Sequence, residues 1–371
     1  MKVHYANVKH NILQVKLDKR TDVYNWGLDN SFPSLIETLI NQSVTAKASV
    51  DKVAKAIYGK SFGKIGKTIV NKDGQSLNEV LRIASREYAK HNNVFIHVGY
   101  NALFEIKSIK VIPNTSSRIG KADDLGYSGK YVIYDNWNRE EGRVDSDAFR
   151  IYDKFNPIKK VIEAQIEKAG TITAYKGQIL HVQKDTNSIY SLSDINPVLS
   201  DCVTEIDAQT YRSTNIGDGF IQNKLLTTQP FSNDDDRRAF ISNLNKLRGA
   251  ENTGSVLFLE SAQMNDDLSN QYKLDDLTTQ ADDTQFEYSE SQAEKNICKA
   301  LGVPLILVNP SDNSMFGNSG EVLRQAKIQL WDEKEEQRDQ IEEVFQMLMS
   351  NFHEPLLEEL QIINPNPTTN E

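Results

Sequence analysis

Residues 285–352 read QFEYSESQAEKNICKALGVPLILVNPSDNSMFGNSGEVLRQAKIQLWDEKEEQRDQIEEVFQMLMSNF, and this stretch decides the architecture. Phe286, Ala293, Ile297, Ala300 and Leu301 recur at helical spacing, and the pattern stops at Gly302 and Pro304. Glycine favours a helix C-terminus and proline prevents continuation. A second helix is expected from Asn318, a capping residue with Glu321 three positions on, the offset of a capping box. No Pro or Gly interrupts the chain from Glu321 to Phe352, so one continuous helix over 320–352, roughly 50 Å long at 1.5 Å per residue, is expected. Between the helices lies VPLILVNPSDNSMFGNSG, apolar at first and then rich in Asn, Ser and Gly. Helix, polar loop and long helix point to mechanical or assembly work rather than a catalytic pocket.

Bulk properties narrow the class. At 371 residues, 39% hydrophobic and 25% charged, the chain has the length for two or three packed units and the composition of an ordered protein. Its longest apolar run, Val303 to Val308, is far below the 18 or more residues of a spanning helix, and MKVHYANVKHNILQVKLDKR has no signal-like apolar core. Cys202 and Cys298 lie far apart without a CxxC, so thiols in a reducing compartment are expected. A net charge of −10 argues against a broad basic surface for gripping nucleic acid. It suits a wall past which DNA slides without sticking.

Working outward, residues 1–30 lack a sustained period and read as an extended arm. From Ser31, apolar positions Leu35, Ile36, Leu39 and Ile40, then Val44, Val53, Ala54 and Ile57, fall on helical faces that end at Gly59. Ser76 with Glu79 gives a capping box opening a helix through Leu77, Val80, Leu81, Ala84 and Tyr88. Strands are expected at NVFIHVGY, LFEIKSIKVI, KYVIYD, TITAYK and QILHVQ, with a helix after Asn156 and Pro157 closed by Gly170. Residues 30–190 therefore read as one α+β domain. Asn196 and Pro197 suit the N-cap and first position of a helix of about 20 residues carrying Leu199, Cys202, Val203 and Ile206. A compact β-α-β unit is expected next, at FIQNKLLT, SNDDDRRAFISNLNKLRG and GSVLFLE, with Ser232 and Asp235 capping its helix. A polar stretch through Asp282 leads back to the helix that begins near Gln285. The tail NPNPTTNE reads as disordered.

Catalytic and metal signatures are not found. GKSFGKIGKT has Ser61 where a phosphate-binding loop needs Gly, and reads as a basic hairpin running into a KTIVN strand. His4, His10, His91, His97, His181 and His353 form neither HExxH nor a close Cys/His set, and His97 and His181 read as core or interface histidines. No GxSxG elbow is present. Glu287, Glu290 and Glu294 share a helix face, which is either solvated or the wall of an acidic channel. In DEKEEQRDQ, Arg338 is spaced for pairs with Glu335 and Glu342, on a helix that either packs at both ends or crosses to a neighbouring subunit.

The order of these parts resembles the portal proteins of tailed bacteriophages, particularly the shorter portals of long-tailed phages. The resemblance extends from about Ser31 to Phe352 and is carried by QILHVQ, INPVLSDCVTEIDAQT, NICKALGVPLIL and GNSGEVLRQAKIQLW. It implies an α+β portal fold: an arm (1–30), a wing (31–190), a first stem helix (191–218), a clip (219–268), a second stem helix (269–302), a tunnel loop (303–319), a long wing helix (320–352) and a short tail (353–371). Leu305 replaces a frequent second proline, and the short remainder after Phe352 implies little or no crown. The resemblance further implies a homododecameric ring at one capsid vertex that passes double-stranded DNA, with no cofactor, metal, membrane or enzymatic activity. Asn309, Ser311, Asp312, Asn313, Ser314, Met315 and Phe316 would line the tunnel, with Glu287, Glu290 and Glu294 as a possible channel wall. Asp234, Asp235, Asp236, Arg237 and Arg238 of the clip would face the terminase large subunit and later the head-tail adaptors. Major capsid and scaffolding proteins would be further partners, in the virion and, during assembly, in the host cytoplasm. The competing readings are a phage structural or adaptor protein without a channel, and a hydrolase or nucleotidyl-transfer enzyme with a dispersed site.

Overall fold

The computed structural model describes residues 15–27, 30–123, 128–137, 148–217, 224–228, 233–246, 256–260, 272–276, 283–309, 319–356 and 358–365. Its elements are β1 (Val15–Asp18), β2 (Val23–Trp26), α1 (Phe32–Gln42), α2 (Val44–Tyr58), α3 (Leu77–His91), β3 (Asn93–Tyr100), β4 (Ile106–Ile112), β5 (Ser117–Ile119), β6 (Lys130–Ile133), β7 (Arg150–Lys154), α4 (Lys159–Ala169), β8 (Gln178–Gln183) and α5 (Leu199–Gly217). There follow β9 (Lys224–Thr228), α6 (Asp234–Lys246), β10 (Val256–Glu260), β11 (Tyr272–Asp276), α7 (Asp283–Leu301), α8 (Ser319–Glu333) and α9 (Glu335–Ser350). Two compact units result, residues 1–202 with 295–371, and residues 203–294.

In the larger unit a six-stranded mixed sheet runs β4-β3-β8-β7-β6-β5. Only β7 and β8, joined through α4, are parallel; the other neighbours are antiparallel. Alternation sets the faces: Val98 pairs with Ile109 and both are buried, whereas His97 pairs with Lys110 on the opposite face. The apolar stripe of α3 is buried as its spacing predicts, at Leu77, Val80, Leu81, Ala84 and Tyr88. Its capping box is formed: Ser76 Oγ accepts from Glu79 N at 3.3 Å, and Ser76 N donates to Glu79 Oε2 at 2.8 Å. The exposed edge of β4 is covered at two places. Ile106 N donates to Asn351 O and its carbonyl accepts from His353 N, while Ile109 N donates to Val70 O. Those bonds occupy backbone groups that would otherwise template another strand.

Several expectations are corrected. The described part of the expected arm is a β hairpin, β1 with β2. Its turn is held by Asp18, whose carboxylate accepts from Arg20 N and Thr21 Oγ1, and Trp26 is buried flat on Tyr190 at 4.2 Å between centroids. That partner is 164 positions away, so no local period reveals the hairpin. The long helix is broken at Lys334 between α8 and α9. Arg338 lies against the Trp331 ring at 3.6 Å and donates to Trp331 O, satisfying a carbonyl at the end of α8. Arg338 is 5% exposed, so its place is inside the fold rather than on a solvated charged face; burial lowers its pKa. Glu342 accepts instead from Ile362 N at 2.6 Å.

TITAYK is a turn, with Thr171 Oγ1 accepting from Ala174 N. GKSFGKIGK is not a hairpin either: it wraps Asn78, whose side chain accepts from Phe62 N and donates to Gly63 O, and closes in a 3-10 turn over Ile65–Lys67. Asn196 and Pro197 sit in a 3-10 turn that leads into α5. After Phe352 the chain packs back, with Leu360 and Ile362 buried and Ile363 exchanging backbone bonds with Lys60 and Ser61.

In the smaller unit β9 and β10 are parallel, connected through α6, and β11 lies antiparallel on the other side of β9. The expected β-α-β unit is present and gains a third strand. Residues 272–276, expected as polar chain within the 269–302 stem segment, belong to this sheet, and the helix expected from Gln285 begins at Asp283. With Leu274 as the one aliphatic residue in YKLDD, the stretch reads as polar linker, but the second side of β9 leaves backbone groups that a neighbouring strand satisfies. Ser232, half of the expected cap, lies outside the described residues; the helix itself starts at Asp234.

Candidate functional site

The turn after α7 begins as its sequence predicts. Gly302 adopts φ +65°, Val303 N donates to Cys298 O and Gly302 N to Lys299 O, the two bonds of a Schellman motif. A β-carbon at Gly302 would also fall 1.9 Å from Glu333 Oε1, a side-chain end that can swing aside, so the demand for glycine comes from its positive φ. A 3-10 turn follows over Leu305–Leu307, and Asn309 N donates to Leu305 O at 2.8 Å. Of the loop residues singled out, Asn309 is half-buried; Ser311, Asp312, Asn313, Ser314, Met315 and Phe316 lie outside the described residues, as does Asn318. Glu321 spends its carboxylate on Arg324 at 3.0 Å and Gln325 at 2.7 Å.

Helices α5 and α7 engage through polar pairs. In the smaller unit Arg212 Nη2 donates to Glu290 Oε1 at 2.5 Å, and in the larger unit Asn296 Nδ2 donates to Asp201 Oδ1 at 2.9 Å. Glu290 is therefore charge-compensated. The negative character of that face rests more on half-buried Glu294, the Glu287 side chain being outside the described set. Val203, Tyr211 and Tyr288 leave large apolar surface exposed on the same two helices, Tyr288 at 68%. On α6, Asp234, Asp235, Arg237 and Arg238 are exposed, with Arg238 Nη1 3.9 Å from Asp235 Oδ1. Asp236 is on this helix, its side chain undescribed.

Among the described residues one cluster brings three potential metal-ligand side chains together: Glu37, Glu87 and His91. Lys90 already occupies its centre of charge, 2.9 Å from Glu37 and 3.3 Å from Glu87. Glu87 also accepts from Asn114 N and Nδ2. The cluster thus ties α1 to α3 and reads as structural. The adjacent His91 ring and the Lys90 ammonium hold the Glu37 carboxyl down at about 2, against an ordinary 4.5. A lowered carboxylate pKa contributes stability that is present above 4.5 and lost as pH falls through 2. Glu37→Gln is expected to flatten the decline in unfolding free energy between pH 5 and pH 2 by on the order of 2 kcal/mol. Urea titrations at stepped pH check this, and an unchanged decline would rule out the linkage.

His181 behaves as a core group, whereas His97 is half-buried and lines a surface groove. His181 stacks on Phe95 at 4.3 Å, and burial pushes its pKa down to about 3. His97 contacts Lys176 O at 2.7 Å, and burial lowers its pKa as well. Cys202 and Cys298 are buried and form no disulfide. No helix of the described residues is long and apolar enough to cross a membrane.

No protein-family model matches the chain, and no curated protein matches it by sequence. Solved structures do. A chain in the neck of a native GTA particle computed with C12 symmetry aligns with TM-score 0.52 over 86% of this chain and 80% of its own, at 14% identity. The chain shares that fold. A chain of the virion of a native gene transfer agent particle aligns equally, with TM-score 0.52, 13% identity and coverage of 87% and 81%. An HK97-family phage portal protein from Corynebacterium diphtheriae aligns more weakly, with TM-score 0.42 and 8% identity over 85% of this chain and 90% of its own.

Proposed function

We propose that this chain is the subunit of a portal ring at one capsid vertex, through which double-stranded DNA enters and leaves the particle. The observation that carries the reading is the α+β fold shared, over 86% of the chain, with a neck chain from a particle computed with twelvefold symmetry. In this reading the larger unit is the wing, α5 and α7 are the stem, and β9, α6, β10 and β11 form the clip. Residues 303–319 are the tunnel loop. The α6 residues Asp234 to Arg238 dock the terminase and then the head-tail adaptors, while Glu290 and Glu294 flank the channel. Capsid and scaffolding proteins meet the wing. Packaging energy comes from a separate ATPase, and the ring performs no chemistry of its own.

Two further features support the reading. Exposed Val203, Tyr211 and Tyr288 on α5 and α7 are surface that neighbouring copies would bury, and repeated heterologous contacts about an axis close a ring. A net charge of −10 per copy, repeated around the axis, repels the phosphate backbone rather than holding it. Electron microscopy of the purified chain should show rings with an axial hole of duplex width. Uniform monomers or dimers at high concentration, or solid discs, would count against a channel and favour an adaptor.

A further inference from the structure

The larger unit carries a groove of about 660 Å³ beside the edge of its six-stranded sheet, in the size range of small-molecule sites. Its floor is the end of β3 and β4 where Gly99 stands opposite Ser108, and a β-carbon at Gly99 would come within 2.9 Å of Ser108 Oγ. One wall is the 171–177 turn; the other is residues 69–72 and His353, the segments that cap the β4 edge. Lys72, Lys107 and Lys176 line it, all exposed, and none makes an ion pair among the described residues. Neighbouring Lys110, by contrast, is paired with Asp73 at 2.7 Å. No Asp or Glu is among the lining residues. In a chain of net charge −10, three uncompensated ammonium groups around one concavity form a local positive focus.

The same groove has aromatic surface. The rings of Tyr100 and Tyr175 lie 6.1 Å apart, and each hydroxyl is already engaged, with Gln178 at 2.6 Å and Gln165 at 2.7 Å. They are thus held in place and offer ring surface rather than hydrogen bonds. Cationic groups beside fixed aromatic rings match a ligand with a phosphate and a planar base. We infer that this groove binds a nucleotide, either free or as a unit of a single nucleic-acid strand. The inference is independent of the ring and of its axial channel.

The test uses the full chain with two probes at low salt: ATP by equilibrium dialysis, and a labelled single-stranded oligonucleotide by fluorescence anisotropy. The double variant Lys107→Ala with Lys176→Ala should weaken binding about tenfold, since charge-assisted contacts are lost, whereas Lys52→Ala with Lys55→Ala, elsewhere on the surface, should leave it unchanged. Both altered lysines are exposed, and an unchanged melting temperature confirms that the fold is kept. ATP binding would assign a free nucleotide, and binding of the oligonucleotide alone would assign a strand. Absence of binding by both probes, or equal loss in both double variants, would overturn the site. Inorganic phosphate competing as strongly as ATP would overturn the nucleotide assignment. Lost self-association in the Lys107/Lys176 variant without nucleotide binding would give the groove to an acidic surface of a second copy, and likewise overturn it.

Discussion

Arg118→Met is expected to lower the stability of the larger unit by about 3–5 kcal/mol, the largest effect of any single substitution considered. Arg118 is 0% exposed, and no carboxylate pairs with it among the described residues. Its guanidinium instead serves polar groups from two distant segments. Nε donates to Asn30 Oδ1 at 2.8 Å and Nη2 to Asn30 O at 2.7 Å, while Nη1 donates to Asn114 O and Ser117 O at 3.0 and 2.6 Å. It also lies 5.1 Å from the Trp137 ring and 5.9 Å from that of Trp26. Burial pushes its pKa down to about 10, which still leaves it charged at neutral pH. Two effects compete in the methionine variant. Removing a desolvated charge is favourable, but the backbone carbonyls of Asn30 and Ser117 cannot be removed with it and stay buried without a donor among the described residues, while Asn114 O keeps only the 3.3 Å bond from Ser117 N. The second effect should win because each such group costs about 1–3 kcal/mol. Arg118→Lys should recover less than half, a single ammonium being unable to span both segments. Urea unfolding curves measure both variants; a loss below about 1 kcal/mol for the methionine variant would show that water replaces the guanidinium.

The same residue shows what a sequence conceals. Arg118 sits in SSRIG, at the middle of the three-residue strand β5, and nothing nearby distinguishes it from a surface arginine. Its partners at position 30 are reached only through tertiary folding. The Trp26–Tyr190 stack, the Arg338 cap on Trp331 and the bond from Ile363 N to Ser61 O are equally non-local, and the first two lie where an arm and an unbroken helix were expected. Elements whose signals are local were legible: the Ser76–Glu79 box of α3, the Gly302 stop of α7 and the β-α-β order of the smaller unit. Strands of three to five residues, such as β5 and β7, are too short to show a period. The candidate site divides in the same way. The positions of Glu290 and Glu294 along α7 follow from helical spacing, but the pairing of Glu290 with Arg212 depends on how two helices meet.

Deleting residues 312–316 is the experiment with the largest expected functional effect: rings should still form, and DNA-filled particles should be lost. The separation of the two outcomes rests on energetics. Shortening a loop changes its closure entropy only logarithmically, by about 0.6 kcal/mol per twofold change in length. The Schellman turn at Gly302 lies outside the deleted stretch, so the end of α7 keeps its anchor. A five-residue deletion therefore leaves the larger unit and helices α5 and α7 close to their native stability, and a packaging defect would report on the deleted residues themselves. Their composition suits contact with a moving duplex: DNSMF has one acid, two short polar side chains and two large apolar ones, and no Lys or Arg to form lasting phosphate contacts. Substituting lysine at Asn313 and Ser314 should act differently, by holding DNA through added phosphate contacts and slowing translocation more at low salt than at high salt. Measuring packaged DNA in particles assembled with each variant decides the matter. Normal filling with the deletion would remove residues 312–316 from the channel, while lost filling together with lost rings would mean that the loop holds subunits together instead.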